Sequence, residues 1–296
     1  MKIIQSLWVK PSLKKENINI ADRNNGGWVD KKYNYMSWAL SCLQFKKYYN
    51  EVELVTDSLG YDLLINKLEL PYTKVDVSLD LLNDYHPDLW ALGKIYAYSI
   101  QKEPFIHADG DIFIYKKFED SFENSQLISQ NIEKGFGYYD EAFKLIEEKF
   151  DYIPTYLTES KIKNNGIIAV NAGLLGGSHL DFFKEYTDEV FKFVDKNVSK
   201  LHEINIGIIN AVFEQFLFKA IAEKKKIDIN YYLENINYSF DGLADFTSLP
   251  EKGKYIHTVG IYKRNEYIGD LLSHRLLTDY PDYYYKIINL IRTNQI

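Results

Sequence analysis

Phe105-Ile106-His107-Ala108-Asp109-Gly110-Asp111-Ile112-Phe113-Ile114 is the stretch on which the reading of this chain turns. A short apolar run leads into an acidic triplet, and a second apolar run follows at once. A buried strand that delivers carboxylates to a sheet edge fits this pattern better than a solvated turn, which needs no apolar run on either side. Side chains two apart project the same way from an extended backbone, so Asp109 and Asp111 are expected to face one point. Two carboxylates held that close repel. A hard divalent cation relieves the repulsion and leaves coordination positions open for phosphate oxygens. Gly110 between them is expected to let a ligand approach the backbone.

Outward from this stretch, helix and strand patterns alternate. On its N-terminal side, Leu89, Leu92, Tyr96 and Ile100 trace a helical stripe, opened by His86-Pro87-Asp88 and closed by Pro104. Before that, residues 2–9 read as a strand, residues 24–27 (NNGG) as a loop, and Tyr33, Met36, Leu40 and Leu43 as one helical face. Residues 51–56 read as a second strand with Asp57 at its carboxyl end, where open α/β sheets place their ligand crevice.

On the C-terminal side, residues 119–163 give a blurred mixture of helix and loop that suits an acceptor-facing insertion. Residues 166–178 (GIIAVNAGLLGGS) form two apolar bursts split by Asn171-Ala172-Gly173, and Phe183, Tyr186, Val190 and Phe193 continue as a helix. A further amphipathic helix through Ile209, Val212, Phe213, Phe216 and Ala220 carries Glu214 and Gln215. Ile227, Ile229 and Tyr231 alternate as a strand, residues 254–259 read as the last strand, and a helix follows Pro281. The alternation predicts an α/β fold in a single domain over residues 1–296, with a mixed, mostly parallel central sheet flanked by helices.

Composition narrows the function classes. The chain has 296 residues, 46% of them hydrophobic and 16% aromatic, which is ample apolar surface for one core. A net charge of −7 argues against general nucleic-acid binding, which needs summed positive potential. Neither a signal-peptide pattern nor a run of roughly 20 apolar residues occurs, so cytoplasmic residence without a transmembrane segment is expected. Cys42 is the one cysteine, which excludes an intrachain disulfide and a thiolate zinc cluster and reads as a small buried hydrophobe.

A second motif lies near the C-terminus, His257-Thr258-Val259-Gly260-Ile261-Tyr262-Lys263. An imidazole can complete a metal's shell, and adding one nitrogen to carboxylates tilts the preference from magnesium towards manganese. Gly260 is expected to permit a turn, and Lys263 to neutralise a diphosphate as a compact point charge. The alternative for this heptapeptide is a strand-capping histidine and a solvated lysine.

The order of these motifs resembles glycosyltransferases of the GT-A type, especially glycosyltransferase family 8. In that family a DxD strand, an N-x-G strand, a D-Q helix and H-x-x-G-x-x-K occur in this order; here they read DGD, NAG, EQ and HTVGIYK. The opening KIIQSLW is similar to the KIIHQxW start of family 32. The resemblance implies a GT-A fold with a nucleotide-binding half at 1–118 and an acceptor-binding half with the C-terminal helix at 119–296. It implies Asp109, Asp111 and His257 as ligands of Mn2+ or Mg2+, and Lys263 and Gly260 as diphosphate contacts. Lys94 matches the basic residue on the helix before the DxD strand, with a solvated helix lysine as the alternative. Asn171 and Gly173 would line the sugar subsite, and Glu214 and Gln215 would face the transferring sugar or its acceptor.

Two departures stand out. Glu214 occupies the position of an aspartate, and the first strand, Ile3-Ile4-Gln5-Ser6-Leu7, lacks a base-contacting aspartate. Asp57 and Trp8 are the substitutes for ribose or base contact, against a loop cap and a core tryptophan. The expected activity is sugar transfer from a nucleoside-diphosphate sugar, with UDP as the expected carrier, to a glycan, lipid-linked or protein acceptor, as in polysaccharide biosynthesis. Retention follows from family 8. Two rival readings are a sugar-phosphate nucleotidyltransferase, whose glycine-rich loop is missing from residues 9–15 (VKPSLKK), and a non-catalytic nucleotide or glycan binder.

Overall fold

A computed structural model describes residues 1–13, 25–234, 240 and 242–296. Asn24 of the expected NNGG loop, and Lys14 and Lys15 of the VKPSLKK stretch, lie outside the described residues. In chain order the strands are β1 (Lys2–Leu7), β2 (Val52–Thr56), β3 (Lys74–Asp76), β4 (Phe105–Ala108), β5 (Ile112–Ile114), β6 (Leu127–Ser129), β7 (Ile132–Lys134), β8 (Ile168–Val170), β9 (Leu174–Gly177), β10 (Ile229–Tyr231) and β11 (Tyr255–His257). The chain is a mixed α/β protein with a seven-stranded, mostly parallel sheet flanked by helices, as the alternation predicts. No described helix is long and apolar enough to cross a membrane.

Two compact units are assembled from non-consecutive segments. The terminal unit comprises Lys2–Pro87, Ala108–Lys117 and Ser239–Ile296. In it β1 pairs in parallel with β2, Ile3 to Leu7 against Val52 to Thr56, and β2 pairs in parallel with β3. Strands β5 and β11 form a separate antiparallel pair. The helix α1 (Lys31–Tyr48) starts where the Asp30 side chain accepts the Lys32 N–H, and has Lys46 and Lys47 in its last turn, both favourable to the helix dipole.

Tyr33, Met36, Leu40 and Leu43 are buried, as the stripe predicts, but so is every residue from Met36 to Phe45. A helix enclosed on all sides must satisfy its polar side chains within the protein. Gln5 donates to Ser41 (2.9 Å), and Gln44 donates to Asp279 (3.1 Å), which also holds Arg275 through two contacts of 2.8 and 2.7 Å. Cys42 is fully buried, and burial pushes its thiol up to about 12, in keeping with a small core residue. Sequence patterning left the helix Glu266–Asp279 unassigned; it packs with Pro281–Arg292 into the same core through Ile268, Leu272, Leu276, Ile287 and Leu290.

The middle unit comprises Asp88–His107 and Phe118–Tyr238, together with Met1. Here β6 pairs in parallel with β10 and antiparallel to β9, while β7 and β8 form an antiparallel ribbon. The stretch 119–163, unplaced by periodicity, thus supplies a sheet strand, half of a ribbon and the helices Gly137–Lys149 and Thr155–Asn164. Strands of three residues are too short to show an alternation. The helical stripe before Pro104 becomes α2 (Leu92–Ser99), later than expected, because residues 86–91 form turns.

Packing in this unit is aromatic, with Phe105 and Phe183 centroids 4.7 Å apart and Phe182 and Phe218 at 5.1 Å. Gly176 on β9 is dictated by a neighbouring backbone, since a Cβ there would stand 2.2 Å from the Phe105 carbonyl oxygen. Gly176→Ala must therefore push β9 off its neighbour. A loss of about 2 kcal/mol or more is expected in denaturant unfolding, well above the ordinary glycine-to-alanine effect in a strand.

Candidate active site

The acidic triplet and the C-terminal heptapeptide meet within the terminal unit through strand pairing. Strand β5 follows the triplet directly, and its antiparallel register with β11 sets Ile112 opposite His257. Thr258 extends the junction, its N–H donating to the Asp111 carbonyl at 3.1 Å and its hydroxyl at 3.2 Å. His257 thereby lies beside the residue preceding Ile112, with its Nε2 3.6 Å from Asp111 Oδ2. One ligand atom each from Asp109, Asp111 and His257 lies within 4.8 Å of the other two.

The carboxylates converge by a different route from the alternation expected of a strand. Residues 109–111 form a turn, closed by the Ile112 N–H donating to the Asp109 carbonyl at 3.1 Å. Helix α1 holds this turn from outside. The Ser37 hydroxyl donates to the Gly110 carbonyl and the Ser41 hydroxyl to the Ile112 carbonyl, both at 2.7 Å. Between them Trp38 presses its indole against Gly110, where a Cβ would sit 2.6 Å from the ring. The close approach that requires glycine here is thus made by Trp38 rather than by a ligand. Gly260 differs: its φ is not positive and a Cβ added there meets nothing within 4 Å among the described residues, so the local turn does not demand a glycine.

These residues fit a divalent cation. Oxygen and nitrogen ligands sit ~2.0–2.2 Å from such an ion, which places them about 3–4 Å from one another. The observed spacing is within an ångström of that. Two carboxylates and an imidazole are also the donor set of a hard to borderline ion. Lys263 completes the group, its Nζ 2.8 Å from Asp111 Oδ2 and 3.3 Å from the Gly26 carbonyl.

Asp57, at the carboxyl end of β2, spends its carboxylate on backbone. It accepts the N–H groups of Val9 (2.8 Å), Lys10 (3.3 Å) and Gly60 (2.8 Å). Burial raises its pKa, and those three donors pull it back. Trp8 is buried.

The remaining predicted residues gather in the middle unit. Lys94 on α2 places its ammonium 2.8 Å from Glu214 Oε1 and donates to the Ala172 carbonyl at 3.4 Å, between Asn171 and Gly173. The helical stretch that carries Glu214 and Gln215 also sets the start of α2. Asn210, four residues before Glu214, accepts the Ala91 N–H at 3.0 Å and donates to the Asp88 carbonyl at 2.7 Å. Residues Val212–Phe216 form a π turn, with the Tyr186 hydroxyl donating to the Glu214 carbonyl at 2.7 Å. Such turns recur at functional sites.

Glu214 is buried, and burial raises its pKa; Lys94 opposes the shift and the nearby Glu133 reinforces it. Three residues here escaped the sequence reading. Glu133 on β7 accepts from Asn171 Nδ2 (2.8 Å), Tyr138 (2.8 Å) and Tyr139 (2.6 Å), and the Tyr139 hydroxyl also reaches Gln215 Oε1 at 3.0 Å. The available signal was an isolated glutamate among apolar and amide residues, which spacing alone could not distinguish from a surface position.

The family of unknown function DUF6734 matches residues 1–290 of the chain. No curated protein is significantly similar in sequence. Among solved structures, the galactosyltransferase LgtC in complex with donor and acceptor sugar analogues is similar with a TM-score of 0.38 and 11% identity, over 72% of this chain and 70% of that one.

The Lys94–Glu214 pair is open to a pH test. Without the ammonium, the buried Glu214 carboxylate loses the interaction that lowers its pKa, so its folded pKa rises further above the unfolded value. Stability is then present below the unfolded carboxylate range, near pH 4, and lost as pH rises through the folded pKa. Lys94→Met is expected to cost ~3 kcal/mol relative to the parent at pH 8, shrinking towards pH 5, as read from denaturant melts at both pH values.

Proposed function

We propose that this protein, a member of the family of unknown function DUF6734, is a metal-dependent glycosyltransferase that takes its sugar from a nucleoside-diphosphate sugar. The observation that carries the reading is the gathering of Asp109, Asp111 and His257, with Lys263 on Asp111, from two segments nearly 150 residues apart. The donor is a UDP-sugar, the cation manganese in preference to magnesium, and the acceptor a glycan, lipid-linked or protein hydroxyl.

Asp109, Asp111 and His257 would hold the cation, which when bound supplies counter-charge to the departing diphosphate. Lys263 would add a compact positive charge to the same oxygens, and Gly260, whose Cα faces open space, would let a phosphate come close. With the leaving group neutralised in this way, no protein acid is needed to protonate it. Asn171, Gly173, Gln215 and Lys94 are assigned to the sugar and its acceptor. The resemblance to family 8 implies retention at the anomeric carbon. Were the product inverted, Glu214 would become the base, for which a carboxylate with a raised pKa is suited.

A nucleotidyltransferase is the weaker reading, because the basic glycine-rich loop it uses after its first strand is missing from residues 9–15 (VKPSLKK). A non-catalytic binder would have little use for a buried Lys94–Glu214 pair, whose desolvation costs stability.

A thermal-shift screen of nucleoside diphosphates with and without manganese tests the proposal. One nucleotide, at a hundredfold its dissociation constant, should stabilise the protein by ~2.7 kcal/mol only when metal is present. Asp111→Asn should abolish that response; an unchanged response in the mutant would count heavily against the site. Gly260→Ala should leave the melting temperature of the free protein unaltered and weaken nucleotide binding, since the fold has room for the methyl group and a bound diphosphate would not.

A further inference from the structure

Glu133 lies in the middle unit at the centre of a closed set of hydrogen bonds that the proposed chemistry does not by itself require. Its carboxylate is 1% exposed and accepts from three side chains: Asn171 and the paired hydroxyls of Tyr138 and Tyr139. A carboxylate can only accept, so the Asn171 amide must turn its NH2 towards Glu133. At its other end the Asn171 Oδ1 takes the Gly173 N–H at 2.9 Å. Both ends of one amide are therefore fixed, and the side chain cannot flip without placing acceptor against acceptor at Glu133 and donor against donor at Gly173. Tyr139, fully buried, spends its one proton on Glu133, so its oxygen can only accept from the Gln215 amide 3.0 Å away, which must turn its NH2 towards it and is thereby restrained one step further on.

Burying a carboxylate is costly, and an apolar residue at position 133 would serve packing alone at less expense. We propose that Glu133 is a positioning residue that sets the direction of the Asn171 amide, and through Tyr139 the place of Gln215, for recognition of the sugar moiety of the donor. The assignment rests on the glycosyltransferase reading for its ligand, and on the hydrogen-bond geometry alone for its mechanism. Glu133 also bears on Glu214, whose carboxylate it makes harder to ionise.

The decisive experiment reverses the polarity of the Glu133–Asn171 bond. Glu133→Gln can set an NH2 against the Asn171 NH2, and Asn171→Asp sets carboxylate against carboxylate. In the double variant the amide introduced at position 133 would donate to the carboxylate introduced at position 171, whose second oxygen still accepts the Gly173 N–H. Each single variant is expected to lower the melting temperature, and the double variant to regain at least half of the larger loss; strictly additive losses would overturn the coupling. This arm needs no ligand and stands even if no nucleotide sugar binds, an outcome that would sink the glycosyltransferase reading instead.

The second arm compares UDP with UDP-glucose and UDP-galactose, in manganese, by calorimetry. In Glu133→Gln the affinity for UDP should stay within about twofold of the parent, while the extra affinity contributed by the preferred sugar falls about tenfold, as for one misdirected charge-assisted hydrogen bond. Equal weakening of UDP and UDP-sugar, or no change in either, would reduce Glu133 to a structural residue and refute the assignment.

Discussion

The antiparallel register of β5 against β11 is the constraint on which the candidate metal site depends. Ile112 pairs with His257, which fixes the imidazole beside Asp111 across a gap of nearly 150 residues. A shift of one residue in this ladder would turn His257 to the opposite face and present a neighbour in its place. The strands are only three residues long, so side-chain bonds must secure what a longer ladder would secure by itself. Thr258 does so on one side, with two bonds to the Asp111 carbonyl. On the other side Ser37, Trp38 and Ser41 of α1 lock the turn at its carbonyls and its glycine. The rigidity of the site is thus borrowed from a buried helix that must place its polar groups on the protein around it.

Charge in the middle unit follows a different logic. Two of its buried carboxylates, Glu133 and Glu214, are supported unequally: Glu133 by three hydrogen-bond donors, Glu214 by the ammonium of Lys94. Such arrangements rarely increase stability over an apolar core, because desolvation offsets the attraction, whereas breaking one partner leaves a charge stranded. The asymmetry gives the two carboxylates different characters. Glu133 is bound up in fixing its neighbours, while Glu214 leans on one lysine and has its pKa raised by burial.

How far the sequence disclosed this can be judged residue by residue. That Asp109, Asp111 and His257 belong together was legible because an acidic triplet and a histidine each stand beside a short apolar run. Their route to convergence was not: alternation along a strand was the natural reading, and a turn with an i to i+3 hydrogen bond is what forms. The contact of Lys94 with Glu214 joins positions 120 residues apart, and no local pattern announces it. Glu133, Tyr138 and Tyr139 fell in the stretch where strands are too short for periodicity to register, and the π turn under Glu214 leaves no mark on an amphipathic spacing. Asp57 was singled out by its place at a strand end; its carboxylate caps the short helix Ser58–Tyr61 through the Gly60 N–H, a local contact, and also takes the N–H groups of Val9 and Lys10, which only the fold brings near.

The two motif glycines distinguish what the fold demands from what a ligand would demand. Gly110 sits within the acidic triplet and invites a functional explanation, yet Trp38 accounts for it fully, since any side chain there would collide with the indole. Its presence is therefore silent about substrates. Gly260 has no left-handed backbone, and among the described residues it has no neighbour that a methyl group would strike. An added Cβ meets the same open space at Gly137, Gly166 and Gly242, so it is the position of Gly260 three residues before the lysine paired with Asp111, and not the room around it, that singles it out for the proposed diphosphate contact.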